Sequence, residues 1–211
     1  YELSIESQQL DLQAQTTIGL GNARYTDENH TRSHWYLEAL ALLGDDGNAS
    51  LRAQALIGLG HVRYTDENHK RDTNWYGKAL ALLGDNGDAA LRAQALIGLG
   101  HSRYTDRNHQ SDTDWYLEVL ALLGDNGDRT LRAKAMIGLS NARYTDRNHQ
   151  SNLDWYLEVL ALLGDNGDRT LRAKAMIGLS NARYTDRNHQ SNLDWYLEVL
   201  ALLGDNGDRT L

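Results

Sequence analysis

Between residues 51 and 64 the apolar positions are Leu51, Ala55, Leu56, Leu59, Val62 and Tyr64, close to the 3.6-residue period of a helix with one buried face. This segment is helix A. The residues that follow, Thr65-Asp66-Glu67-Asn68-His69-Lys70-Arg71, have no apolar face. An aspartate is also unfavourable at the negative end of a helix, so helix A is expected to stop near Tyr64 or Thr65. Asp72 or Thr73 then caps helix B, whose apolar Trp75, Tyr76, Ala79, Leu80, Leu82 and Leu83 cover most of its circumference and predict heavy burial. Gly84 suits the left-handed position that ends a helix, and Asp85-Asn86-Gly87 reads as a tight turn. Asp88, Asp128 and Asp168 each stand three residues before a leucine that opens the next helix A, where a carboxylate accepts bonds from free N–H groups. Gly58 and Gly60 lie inside helix A, at a cost of up to ~1 kcal/mol each relative to alanine. They predict a neighbouring helix that approaches too closely for a Cβ.

The same pattern recurs along the chain. Arg-Tyr-Thr-Asp begins at Arg24, Arg63, Arg103, Arg143 and Arg183; Trp35, Trp75, Trp115, Trp155 and Trp195 stand 40 apart; residues 131–170 and 171–210 are identical. A fixed period of this length marks a repeat protein in which each unit buries its apolar face on its neighbours. The fold class expected is all-α, an α-solenoid of tandem helix–turn–helix repeats forming one array. Its copies are 12–50, 51–90, 91–130, 131–170 and 171–211, because residues 12–21 match residues 51–60. Residues 1–11 read as a partial or capping segment. Asp208-Arg209-Thr210-Leu211 repeats the opening of helix A, so helix B of the fifth copy is expected to lack a following repeat. That end belongs either to a fragment of a longer array or to a unit that stacks on another chain.

Composition narrows the function. Without cysteine there is neither a disulfide nor a thiolate metal site. No apolar run approaches the ~18 residues of a membrane span. Net charge is −8, and residues 1–50 alone hold two basic and eight acidic groups. A binder that tracks a nucleic-acid backbone needs a basic stripe, which is missing; the acidic first repeat fits a solvated end or an attachment point for a basic partner. Asn29-His30-Thr31 and Asn48-Ala49-Ser50 match the glycosylation acceptor pattern, which has meaning only in a secreted protein.

At Leu56, Leu59, Gly60, Tyr76 and Ala79, and through Trp75-Tyr76-Gly77-Lys78-Ala79-Leu80-Ala81-Leu82, the chain resembles tetratricopeptide repeats of a long, roughly 40-residue variety. It departs from that pattern at the helix A–helix B junction, where Glu67 or Arg107 replaces a glycine, and in Ser140 and Ser180, which replace the glycine of helix A. The resemblance implies a right-handed superhelix whose A helices line a concave groove for peptides or protein segments. Its groove face corresponds here to Asn22 and Tyr25, His61 and Tyr64, His101 and Tyr104, Asn141 and Tyr144, and Asn181 and Tyr184. Each pair is three residues apart and so is expected on one helix face. Asn and His both donate and accept hydrogen bonds, and Tyr offers apolar area with a polar tip.

Other chemistry is less well supported. The ladder His30, His69, His109, His149 and His189 suggests metal. However, helices pack ~8–10 Å apart, whereas two nitrogens on one zinc ion lie within ~4 Å. A loop histidine bonded to backbone or to its Asp neighbour is the expectation. Asp85-Asn86-Gly87-Asp88 lacks the spacing and terminal glutamate of a calcium loop. No nucleophile–base set and no phosphate loop is present, and near-identical copies argue against one asymmetric catalytic cluster. The expected function is therefore a non-catalytic scaffold, without cofactor or metal, that binds a protein or peptide. The alternative is a structural protein stacking end to end on copies of itself into a filament, tube or ring. Gln54 and Gln94 become Lys134 and Lys174, and His61 and His101 become Asn141 and Asn181. Such variation fits a groove that reads a ligand, and drift alike.

Overall fold

The computed structural model describes residues 2–26, 31–63, 73–144, 152–182 and 191–204, with side chains from residue 7 onward. Among the described residues there are ten α-helices and no strand. In chain order they are α1 (Glu2–Asn22), α2 (Arg32–Leu43), α3 (Ala49–His61), α4 (Thr73–Leu83), α5 (Ala89–His101), α6 (Asp112–Leu123), α7 (Arg129–Asn141), α8 (Asn152–Leu163), α9 (Arg169–Asn181) and α10 (Asn192–Leu203). Odd-numbered helices are the A helices of the repeat and even-numbered ones the B helices. The chain divides into two compact units, Tyr1–Tyr104 and Thr105–Leu211.

In the first unit each helix from α1 to α5 packs on the next, and the A helices also meet one another, α1 with α3 and α3 with α5. The second unit repeats this from α6 to α10, with α7 against α9. An A helix therefore has neighbours on more sides than a B helix, which reverses the burial expected from the apolar pattern. The helix α3 buries Ala53, Ala55, Leu56, Ile57, Gly58, Leu59 and Gly60. The helix α4 buries only Thr73, Trp75, Tyr76 and Ala79; Leu80, Leu82 and Leu83 stay partly exposed. Pattern alone reports how apolar a face is, not how many elements cover it.

The helix starts follow the expected caps. Asp88, Asp128 and Asp168 accept from the N–H groups of Leu91, Leu131 and Leu171, each at 2.9 Å. Asn48 does the same for Ser50 and Leu51, and donates through Nδ2 to Asp11, so its amide is engaged in the fold. Helix B of the third copy starts one residue earlier than Asp112-Thr113 suggests. Ser111 is its N-cap, because the Asp114 carboxylate reaches back to the Ser111 N–H at 2.8 Å.

The ends of the A helices correct the sequence reading. They stop at Asn22, His61, His101, Asn141 and Asn181, short of the tyrosine. Arg24, Arg63, Arg103 and Arg143 follow with φ between 50° and 58°. The Tyr25 N–H bonds Leu20 O and the Arg24 N–H bonds Gly21 O, at 3.1 and 3.2 Å; Tyr104 and Arg103, and Tyr144 and Arg143, repeat the pair. This is the Schellman closure, with arginine in the left-handed place that glycine usually takes. After helix B, Gly44 and Gly124 do have positive φ, but their ψ values of −163° and −169° are extended, a region open essentially to glycine alone.

Each turn is then tied to the helix that follows. Arg92 donates to Asp85 O at 2.6 Å and lies 3.7 Å from its carboxylate. Arg52 and Arg132 donate to the carbonyls of Asp45 and Asp125, and Arg172 to Gly164 O. The aspartates are exposed, so the bond to the carbonyl matters more than the ion pair.

Candidate binding cleft

The glycines of helix A make room for a tyrosine ring rather than for a helix backbone. Tyr36 of α2 lies over Gly21 of α1 and Gly58 of α3, and Tyr76 of α4 over Gly60 of α3 and Gly98 of α5. A Cβ on Gly21 or Gly60 would fall 2.7 or 2.6 Å from ring atoms, and one on Gly58 or Gly98 closer still. In the second unit Tyr116 covers Gly138 and Tyr156 covers Gly178. Burying such a ring is worth about 1.5–3 kcal/mol, enough to offset the ~1 kcal/mol that each helical glycine costs.

The ring's hydroxyl accounts for the asparagine in three of the pairs assigned to the groove. Tyr36, Tyr156 and Tyr196 donate to Oδ1 of Asn22, Asn141 and Asn181 at 2.9, 2.7 and 2.8 Å. Burial raises the Tyr156 phenol above its ordinary pKa, which keeps it a donor. His61 meets Tyr76 edge-on, with ring centroids 5.7 Å apart, and His101 ends α5. The second member lies beyond the helix end, so the two do not share a helix face. Tyr25 and Tyr144 lean on Trp35 and Trp155, at centroid distances of 6.1 and 6.3 Å. The Trp35 indole N–H donates to Tyr25 O at 2.9 Å. Tyr104 follows Arg103 in the same closure. Tyr25 and Tyr144 thus join helix A to helix B. Tyr64 and Tyr184 lie outside the described residues.

Of the histidine ladder, His109 is described; His30, His69, His149 and His189 lie outside the described residues. The His109 ring stacks on Trp115, with centroids 3.3 Å apart. Its Nδ1 is 3.1 Å from Asp106 Oδ1 and its Nε2 2.7 Å from Glu118 Oε2. Asp106 also accepts from the N–H groups of Asn108 and His109. Burial would raise its carboxyl, but the His109 ring and these two N–H groups hold it below its ordinary value. The bond to Asp106 was legible from their spacing, whereas the stack and the bond to Glu118 were not. Among the described residues no three metal-binding side chains converge.

In the second unit a cleft of about 620 Å³ opens between α7, α8 and α9. Its polar lining is Ser140, Asn141, Arg143, Asn152, Lys174 and Asn181, with Ile137, Tyr156 and Ile177 as apolar floor. It therefore holds two cations and no carboxylate. Asn141 and Asn181 spend Oδ1 on tyrosine, and no described residue accepts from their amide N–H₂ groups. Sequence reasoning placed Asn141 and Asn181 here, but not Ser140, Arg143, Asn152 or Lys174. A signal existed in the differences between copies. The third and fourth copies differ at Gln94/Lys134, Leu96/Met136, Gly100/Ser140, His101/Asn141, Ser102/Ala142, Asp112/Asn152 and Thr113/Leu153. All but the Leu96 and Thr113 positions line this cleft, as Lys174, Ser140, Asn141 with Asn181, Ala182 and Asn152.

Comparison of the chain with protein-family models and with characterised proteins finds no match.

Proposed function

We propose that this chain is a non-catalytic, tetratricopeptide-like scaffold that holds an extended, acidic peptide or protein segment in the cleft between α7, α8 and α9. The observation that carries this reading is where the copies diverge. Between the third and fourth copies, five of the seven differing positions line the cleft. Their electrostatic effect has one sign: lysine replaces glutamine and asparagine replaces aspartate. Arg143 and Lys174 attract carboxylates, and the free amide donors of Asn141 and Asn181 suit a peptide backbone. Electrostatic complementarity of this kind selects the partner more than it adds affinity.

The test is fluorescence anisotropy of labelled extended peptides, one set rich in Asp and Glu and one in Lys and Arg, titrated with the full chain. The acidic set should bind. Lys174→Gln, which restores the residue of the second and third copies, should weaken binding about three- to five-fold, the worth of one exposed charge. Equal affinity for both sets, or acidic binding untouched by Lys174→Gln, would reject the reading.

A further inference from the structure

We infer that the protein has a second site, for a small organic anion with an apolar body such as an aromatic carboxylate, in a cleft of about 600 Å³ between α2, α3 and α4. It shares no residue with the peptide cleft and stands independently of it.

The cleft lies at the junction of the first and second copies, where one helix B ends and the next helix A begins. Buried Leu56 and Trp75 form its floor, with Leu40 half-buried at its wall. Its charged lining is Arg52, Lys78 and Asp45. Lys78 is exposed, and its ammonium lies over the Trp75 ring, 5.4 Å from the centroid. This cation–π contact holds the charge at the cleft. Arg52 is tied to Asp45 through the carbonyl, and its other terminal nitrogen lies 3.3 Å from the Asp45 carboxylate. That carboxylate is fully exposed, so the ion pair is worth little in water. Two cations thus meet one carboxylate over an apolar floor, in a volume within the range of small-ligand sites.

The sign of this charge is peculiar to the second copy. Where α4 has Lys78, the other B helices have Glu38, Glu118, Glu158 and Glu198. The corresponding set across α6, α7 and α8 is Arg132, Asp125 and Glu158, one cation and two carboxylates. Across α8, α9 and α10 it is Arg172, Asp165 and Glu198. The apolar residues recur with little change, Trp155 for Trp75 and Met136 for Leu56, so charge is what distinguishes the junction. An anion attracted by Lys78 is repelled at the equivalent places in the second unit. Within the first unit, the B helix before α4 carries Glu38. An acidic polymer continuing along the array would therefore pass from attraction to repulsion, whereas a single small anion is satisfied within one junction.

The experiment is isothermal titration calorimetry of the full chain with naphthoate, an aromatic carboxylate, and with naphthylmethylammonium, the same ring carrying a cation. Naphthoate should bind at one site per chain, and the ammonium compound should not bind. Lys78→Glu, which restores the residue of the other copies, should weaken naphthoate about ten-fold, since one exposed charge is lost and one of the wrong sign gained. Ala81 is exposed and lines the cleft; Ala81→Trp should abolish binding by filling it. Circular dichroism establishes that each variant is folded, and should Ala81→Trp not fold, Ala81→Leu takes its place. No binding of naphthoate up to millimolar concentration, equal affinity for the two compounds, or naphthoate binding that a folded Lys78→Glu or Ala81→Trp chain leaves unchanged would each overturn the inference.

Discussion

Three of the kinds of position that glycine occupies in this protein separate by what holds each one. Gly58 and Gly98 have a tyrosine ring where a Cβ would go, whereas Gly19 and Gly77 have open space. Alanine at Gly58 or Gly98 must push the ring aside, an overpacking cost of about 1–3 kcal/mol. Alanine at Gly19 or Gly77 meets nothing and should add up to ~1 kcal/mol through helix propensity. Urea unfolding of the four single variants measures both signs at once, and equal losses at Gly19 and Gly58 would refute the ring as the reason for glycine. Gly44, Gly84, Gly124 and Gly164 are the third kind, held by positive φ rather than by a neighbour.

At the scale of elements, the loop between helix A and helix B is the part that most needed coordinates. In the third copy it is closed by one histidine held between two carboxylates and stacked on the first tryptophan of helix B. The depressed pKa of Asp106 sets a pH dependence. Its contribution to stability is complete above the ordinary aspartate value of about 3.9 and is lost as pH falls below that value through the folded one. Between about pH 4 and pH 2, wild type should therefore lose more stability than Asp106→Asn, which carries no charge to neutralise. Denaturant unfolding at several pH values in that window checks it, and two curves that fall in parallel would rule it out. The A-helix starts were legible, since a cap requires only an aspartate and an N–H three residues away. The A-helix ends were not: arginine in a left-handed conformation is uncommon, and nothing in Arg-Tyr-Thr-Asp announces it.

For the whole molecule, the period predicted helix pairs packing in order, and the helices of both units pack that way.

What the sequence determined by itself is whatever depends on residues within a turn or two of each other. The repeat, the two helices of each copy, the aspartate caps and the tight turn at Asp85-Asn86-Gly87 are of this kind. The tertiary structure decided the rest: that helix A is the more buried partner, that Tyr36 and Tyr76 each sit between two glycines, and that Asn141 and Asn181 hold tyrosine hydroxyls while facing a cleft with Lys174. Each of these joins groups from two or three helices, and a helix face carries no mark of which neighbour will cover it. Identical helices α8 and α10 make the point physically: one sequence presents Tyr156 buried and Tyr196 exposed, because burial belongs to the contact and not to the residue.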